Sequence, residues 1–192
     1  MGQRICFYKN KSQFFLKELV CECFSEFKEW YLNVYLENEE KDEYILYKYL
    51  SKIIDLSNIF DDTEQKVIDE ITADFVGGFL DTKNQNHAEL VLPMMYTRHY
   101  VENTEDILKT QDNDFIELWN IIINGRSIKN NKPFDSFTDD LKIGFLTKNE
   151  YLNLKGKIEK YFSNEMDIKG VKFVLQAIEN MNLCKEMIIT IE

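Results

Sequence analysis

Four glutamates in the first long helical segment have the spacing most suggestive of function. Glu18, Glu22, Glu26 and Glu29 recur at intervals of four, four and three residues, which places them on one face of an α-helix. Neighbouring like charges cost a helix about 0.2–0.5 kcal/mol per pair, and interleaved lysines would serve solubility better. The pattern therefore favours a docking surface for a basic protein, with a solvated helix face as the competing interpretation.

Acidic residues continue beyond this segment, at Glu37, Glu39, Glu40, Asp42 and Glu43. The predicted partner-binding surface includes Glu39 and Glu40 together with the four helical glutamates. A surface of this sign attracts a basic protein and speeds its encounter by electrostatic steering. An inhibitor or immunity-type protein that neutralises a basic toxin or nuclease fits this description.

The alternative is an enzyme or small-ligand-binding protein whose site is dispersed along the sequence. Arg98, His99 and Tyr100 could support acid–base chemistry, and Trp119 could line a pocket. The competing interpretation of Trp119 is core packing, because Phe115 and other apolar residues lie near it at helical spacing. A homo-oligomer that buries some of the aromatic residues is a third possibility.

Established catalytic and metal-binding motifs are absent from the sequence. His87 and His99 do not have the spacing that puts two ligands on one helix face. Cys21 and Cys23 are two residues apart, so on a helix they point away from each other and are poorly placed to hold one metal ion. We therefore predict no catalytic residues, no metal site and no cofactor, and we expect the cysteines to be free thiols.

Charge and hydropathy exclude several classes of protein. The formal net charge is −11, and residues 1–96 contain 10 basic and 18 acidic side chains. Such a field repels phosphate, so we expect neither nucleic acid nor a membrane as a partner. The sequence also has no apolar run of the kind that a signal peptide or a membrane span requires, which predicts a cytoplasmic protein. The oligomeric state does not follow from the sequence.

The elements that must position these residues are mostly helices. Composition and length predict one domain over residues 1–192 with an α+β, predominantly helical fold. Apolar periodicity predicts a helix that follows Ser12 as its N-cap and extends to about Leu36. It also predicts a kinked helix over 88–101. The remaining predicted helices cover residues 44–57, 63–80, 104–110, 113–124, 147–162 and 168–181.

The two chain ends are predicted to form a small sheet. Residues 186–191 are rich in β-branched side chains, and a strand there needs a partner, for which residues 4–8 are a candidate. Thr147 and Glu150 form a capping box at a helix start, and Gly125 ends the helix over 113–124. The segment 126–141 is predicted to be a loop.

The C-terminal part of the chain resembles a known family. Residues 118–125, residues 143–147 leading into a helix, a final helix and the closing strand 187–191 follow one another in the order seen in the YfbM-like family of bacterial proteins of unknown function. The resemblance covers roughly the last 75 residues. It implies an α+β fold and a bacterial source, and it identifies no catalytic residues.

Overall fold

A computed structural model of the chain describes residues 4–35, 62–80, 86–91, 101–102, 104–138, 141–162 and 168–192. These residues form an α+β, predominantly helical fold with a small antiparallel sheet, which confirms the predicted fold class. The helix predicted over 44–57 lies outside the described residues. No helix within the described ranges has the length and apolar character needed to cross a membrane.

The sheet has four strands in the order β2-β1-β4-β3, all antiparallel. Their bounds are β1 Ile5–Asn10, β2 Ala88–Leu90, β3 Lys142–Thr147 and β4 Glu186–Ile191. Strand β4 lies between β1 and β3, and all six of its residues are buried. The predicted pairing of the chain ends is confirmed, with Ile5 opposite Ile191 and Lys9 opposite Met187.

Two of these strands were not predicted. Residues 88–101 were predicted to form a kinked helix, but Ala88–Leu90 pairs with β1, so this prediction is wrong for β2. Residues 92–100 lie outside the described part. Strand β3 follows the predicted loop over 126–141 and pairs with β4 along its whole length. Both short strands depend on a distant partner strand, because an isolated strand leaves its backbone polar groups unpaired.

The N-terminal helices are α1 Leu16–Glu22, α2 Phe24–Tyr35 and α3 Asp62–Ala73, and a π-helix over Asp74–Leu80 follows α3 directly. The prediction of one helix beginning after Ser12 is wrong in two respects. Ser12 Oγ accepts from the Phe14 main-chain N–H and so caps a turn. The helix is also interrupted at Cys23, although Cys23 still bonds to Leu19 and Phe27 with helical spacing.

The C-terminal helices are α4 Glu105–Lys109, α5 Asn113–Asn124, α6 Lys148–Phe162 and α7 Lys169–Asn180. The predicted capping box of α6 and the predicted glycine at the end of α5 are confirmed. The Asp112 side chain accepts from the Phe115 N–H at 3.0 Å, and Glu150 accepts from the Thr147 N–H at 2.8 Å. Gly125 ends α5 with φ 73° and ψ 178°, a conformation that essentially only glycine adopts.

The helices cover both faces of the sheet. Phe7 and Ile189 belong to a buried cluster with residues of α4 to α7, which form the C-terminal layer. Phe145 and Ile188 belong to a second cluster with α1, α2, α3 and the π-helix, which form the N-terminal layer. Since successive side chains of a strand point to opposite faces, Ile188 and Ile189 contribute to different cores.

Glycines allow close packing within the N-terminal layer. A Cβ at Gly77 would lie 2.4 Å from the Leu141 side chain, and one at Gly78 would lie 2.4 Å from the Trp30 ring. Trp30 and Phe79 rings in turn pack against Phe27. Gly78 therefore makes room for this aromatic packing, and Gly77 makes room for Leu141.

Candidate functional site

The acidic ridge is defined as Glu18, Glu22, Glu26 and Glu29. It continues from α1 to α2 across the interruption at Cys23. All four side chains are exposed. On the opposite side of the two helices a buried stripe runs through Leu16, Leu19, Val20, Cys23, Phe27 and Tyr31. Because this stripe keeps helical spacing across Cys23, the polar faces of α1 and α2 stay in phase.

The four glutamates of the acidic ridge differ in the hydrogen bonds and ion pairs that they form within the protein. Glu18 accepts a hydrogen bond from the Phe15 main-chain N–H at 2.9 Å and so serves the start of α1. Within the described residues, Glu22, Glu26 and Glu29 form no ion pair. Three neighbouring carboxylates of the acidic ridge are thus available to a partner.

A second candidate site is a cleft of about 520 Å³ between α5, the loop after it and the start of α6. The wall formed by α5 carries Asp114, Glu117, Asn120 and Asn124, at helical spacings of three, three and four. The start of α6 supplies Glu150 and Asn153, and the loop supplies Asn131 and Pro133. The lining is therefore mainly carboxylates and carboxamides.

Arg126 lines this cleft and also forms hydrogen bonds to edge strand β3 of the sheet. Its main-chain N–H donates to the Ile143 carbonyl at 2.8 Å, and its Nη2 donates to the Phe145 carbonyl at 2.8 Å. Its Nη1 donates to Glu150 Oε1 at 2.8 Å. Two carbonyls of edge strand β3 are thereby paired, which hinders the strand from pairing with another chain.

The Glu150 carboxylate is held between two donors. Burial alone would raise its pKa, but hydrogen bonds from Arg126 and Thr147 outweigh burial and lower the pKa. Nε of Arg126 is buried and has no hydrogen-bond partner within the described residues. Arg126 itself is only 8% exposed. The lining of the cleft thus includes a buried cation paired with Glu150.

A buried polar network anchors the loop that forms one wall of the cleft. Asn130 Nδ2 donates to Gln65 Oε1 at 2.9 Å, and the Gln65 Nε2 donates to the Ser127 hydroxyl. The Asp135 N–H donates to Asp69 Oδ2 at 2.9 Å. Helix α3 therefore holds the loop at several points.

Asp69 is fully buried, and no cation is paired with it among the described residues. Burial raises its pKa to about 6, and hydrogen bonding from Asp135, Ser127 and Gln65 offsets this only in part. Its Oδ1 has no hydrogen-bond partner in the described structure. Asp69, Gln65 and Ser127 join α3 to the loop after α5, so this network anchors that loop.

The structure describes only some of the predicted site residues. Glu39, Glu40, Arg98, His99 and Tyr100 lie outside the described residues. Trp119 is 1% exposed, and its Nε1 donates to the Val101 carbonyl at 3.0 Å. This location matches the core-packing interpretation and leaves Trp119 outside the lining of the cleft.

Most of the cleft was not predicted from the sequence. The capping pattern identifies Glu150 only as a helix cap, and nothing in the sequence singles out Arg126 or the carboxamides. Recurrence of Asp114, Glu117, Asn120 and Asn124 on the polar face of α5 was the available signal. It does not distinguish a cleft wall from an ordinary solvated face.

Cysteines and groups of metal-ligating side chains are further candidates for chemistry. All four cysteines are present as thiols, and burial raises the pKa of Cys21, Cys23 and Cys184, which disfavours the reactive thiolate. Among the residues that the structure describes, no group of three or more His, Cys, Asp or Glu side chains is arranged to hold a metal ion.

Comparison with family models, curated proteins and solved structures gives no significant match.

Proposed function

We propose that this protein is an acidic interaction module that binds a basic protein partner through the acidic ridge. The observation that supports this proposal is the exposure of Glu22, Glu26 and Glu29, none of which forms an ion pair within the described residues. These carboxylates repel one another on the free protein, so a basic partner relieves the repulsion on binding.

The proposed partner is a basic protein such as a toxin or nuclease, and the proposed role is inhibition. A nuclease binds phosphate through a positive surface, and a protein with a net charge of −11 is suited to cover such a surface. A cytoplasmic location is part of the same proposal. The resemblance to the YfbM-like family stays a prediction and adds no activity to it.

The test is to neutralise the available carboxylates and measure binding to a partner recovered by pull-down. The variant Glu22→Gln, Glu26→Gln, Glu29→Gln leaves Glu18 in place, so the capping of α1 is preserved. We expect affinity to fall by about tenfold, which corresponds to about 1.4 kcal/mol. The dependence of affinity on salt concentration should become weaker at the same time.

A matched control removes the same amount of charge from the other layer. The variant Glu105→Gln, Glu159→Gln, Glu179→Gln changes three exposed carboxylates on α4, α6 and α7. We expect its affinity to stay within about twofold of the parent protein. Equal losses in both variants would mean that only bulk charge matters, and unchanged affinity in the ridge variant would remove the acidic ridge from the proposal.

A further inference from the structure

The cleft between α5 and α6 has the size and polarity of a small-ligand site. Its volume of about 520 Å³ lies within the range of about 300–1,000 Å³ that is usual for such sites. Its walls come from three segments of the chain, and two of these, α5 and α6, are rigid helices that pack on the same core.

Four carboxamides in this cleft have unused hydrogen-bonding capacity. The side chains of Asn120, Asn124, Asn131 and Asn153 line the cleft and form no hydrogen bond to another side chain or main-chain group within the described residues. Each carboxamide offers two donors and an acceptor. Glu117 adds a further acceptor that forms no ion pair in the described part of the chain.

Arg126 adds a buried positive charge to the lining of the same cleft. It is more than nine-tenths buried, and its Nε lacks a partner in the described structure although Nη1 and Nη2 are bonded. Nη1 and Nη2 are already bonded to Glu150 and to the Phe145 carbonyl, so Arg126 contributes positive charge to the cleft.

Several ligand classes fit this lining poorly. Three carboxylates against one guanidinium give the cleft a net negative charge, which repels phosphates and carboxylates. No aromatic side chain of the described residues lines it, so it lacks the cage that recognises a quaternary ammonium group. A simple ammonium ion needs only acceptors, and it would leave the carboxamide donors unused and lie near Arg126.

A hydroxyl group both donates and accepts hydrogen bonds, so it can bond to the carboxylates and to the carboxamides that line the cleft. We infer that the cleft binds a neutral polyhydroxylated ligand, such as a monosaccharide or a cyclic polyol. Carboxylate and carboxamide oxygens accept from its hydroxyls, while carboxamide N–H groups donate to them. Leu118, Ile121 and Pro133 supply the apolar contacts for its C–H groups. This site is separate from the acidic ridge and does not depend on the proposed function.

The experiment is an NMR titration of the isotope-labelled full chain with D-glucose, N-acetyl-D-glucosamine and myo-inositol, each up to about 50 mM. Inorganic phosphate and putrescine serve as anionic and cationic comparison probes. We expect at least one polyol to shift the backbone amides of Asn120, Gly125 and Asn153. The shifts should saturate and define a dissociation constant.

Paired variants test whether the side chains that line the cleft are responsible. Asn120→Ala with Asn153→Ala removes one carboxamide from each helical wall at exposed positions, and should weaken polyol binding at least tenfold. Asn113→Ala with Asn149→Ala removes two exposed asparagines from the same helices outside the cleft, and should leave binding unchanged. Absence of saturable shifts in the cleft for every polyol, or a preference for putrescine or phosphate, would overturn the inference.

Discussion

The two helical layers differ in how they hold their charged side chains. In the C-terminal layer, Lys157 Nζ lies 2.6 Å from Asp112 Oδ1, and the Tyr161 hydroxyl donates to Asp112 Oδ2 at 2.9 Å. In the N-terminal layer, Asp69 is fully buried and accepts from the main-chain N–H of Asp135. Each carboxylate connects separate segments, but only Asp112 has a cationic partner among the described residues.

The difference between these layers is visible in the acidity of the two carboxyl groups. A hydrogen bond from Lys157, followed by the capping bond from Phe115, lowers the pKa of Asp112 to about 2. Burial raises the pKa of Asp69 to about 6. One anchor therefore stabilises the fold when charged, whereas the other stabilises it more when protonated.

The largest expected effect concerns the close contact between α5 and strand β3. A Cβ at Gly125 would lie 2.5 Å from the Ile143 carbonyl oxygen, and φ of 73° is strained for any other residue. We expect Gly125→Ala to lower the free energy of unfolding by about 2–6 kcal/mol, from backbone strain and overpacking together. Urea unfolding followed by circular dichroism measures this loss.

Two other glycines separate the cost of meeting the backbone from the cost of meeting a side chain. Gly78→Ala in the N-terminal layer meets the edge of the Trp30 ring rather than backbone, so we expect a smaller loss of about 1–3 kcal/mol. A Cβ at Gly156 in α6 would have no other described atom within 4 Å, and Gly156→Ala should stabilise the protein by about 0.5–1 kcal/mol. Equal effects at Gly125 and Gly156 would contradict the assigned contact.

The next effect is a gain in stability from removing the buried charge of the N-terminal layer. A folded-state pKa of about 6 means that unfolding releases a proton between about pH 4 and 6, so stability falls as pH rises through this window. Asp69→Asn removes the charge, and we expect a gain of up to about 3 kcal/mol at pH 7. Urea unfolding at pH 4, 5, 6 and 7 tests both the size and the pH dependence.

A neighbouring carboxylate provides the control for Asp69. Glu70 accepts from the Thr138 hydroxyl at 2.9 Å and anchors the same loop at the surface. We expect Glu70→Gln to give no gain at pH 7. Burial also raises the pKa of Glu186, so part of the decline with pH should persist in Asp69→Asn. If the variant shows the full decline of the parent, Asp69 is not its source.

The layers also differ in how well they could be predicted. Helices α5 and α6 were predicted with the help of groups that act within four residues, namely Gly125 and the Thr147–Glu150 box. The start of α1 was not predicted, because Glu186 accepts from the Leu16 N–H at 2.7 Å across 170 positions. The cleft was missed for the same reason, since Arg126 meets Glu150 across 24 positions of the chain.

A smaller effect is expected at the ion pair of the C-terminal layer. Because the pKa of Asp112 is lowered, its stabilising contribution is present above about pH 4 and is lost as pH falls towards 2. Lys157→Met should therefore lower stability most at neutral pH, and the difference from the parent should narrow between pH 4 and 2. NMR titration of the Asp112 carboxyl group in both proteins measures the change directly.

The more exposed pair Lys155–Glu159, with a separation of 3.5 Å, is the control for this ion pair. Lys155→Met should change stability little, because solvent screens exposed pairs. An unchanged Asp112 pKa in Lys157→Met would contradict the assigned cause. Equal losses in both lysine variants would remove the distinction between the two ion pairs.

The smallest expected effect returns to the acidic ridge. Glu22 lies four residues from both Glu18 and Glu26 and is near the C-terminal end of α1, where a negative charge opposes the helix dipole. Two like-charge pairs at about 0.2–0.5 kcal/mol each predict that Glu22→Gln stabilises the protein by about 0.4–1 kcal/mol at low salt. Thermal unfolding at low and high salt measures this gain, which should shrink as salt screens the repulsion. Glu179→Gln on α7 also removes a charge near a helix C-terminus but has no acidic neighbour three or four residues away, so its gain should be smaller and due to the helix dipole alone. A larger gain in Glu22→Gln means that the acidic ridge costs stability in the free protein, as a surface kept for a basic partner would, whereas no gain at low salt would favour an ordinary solvated face.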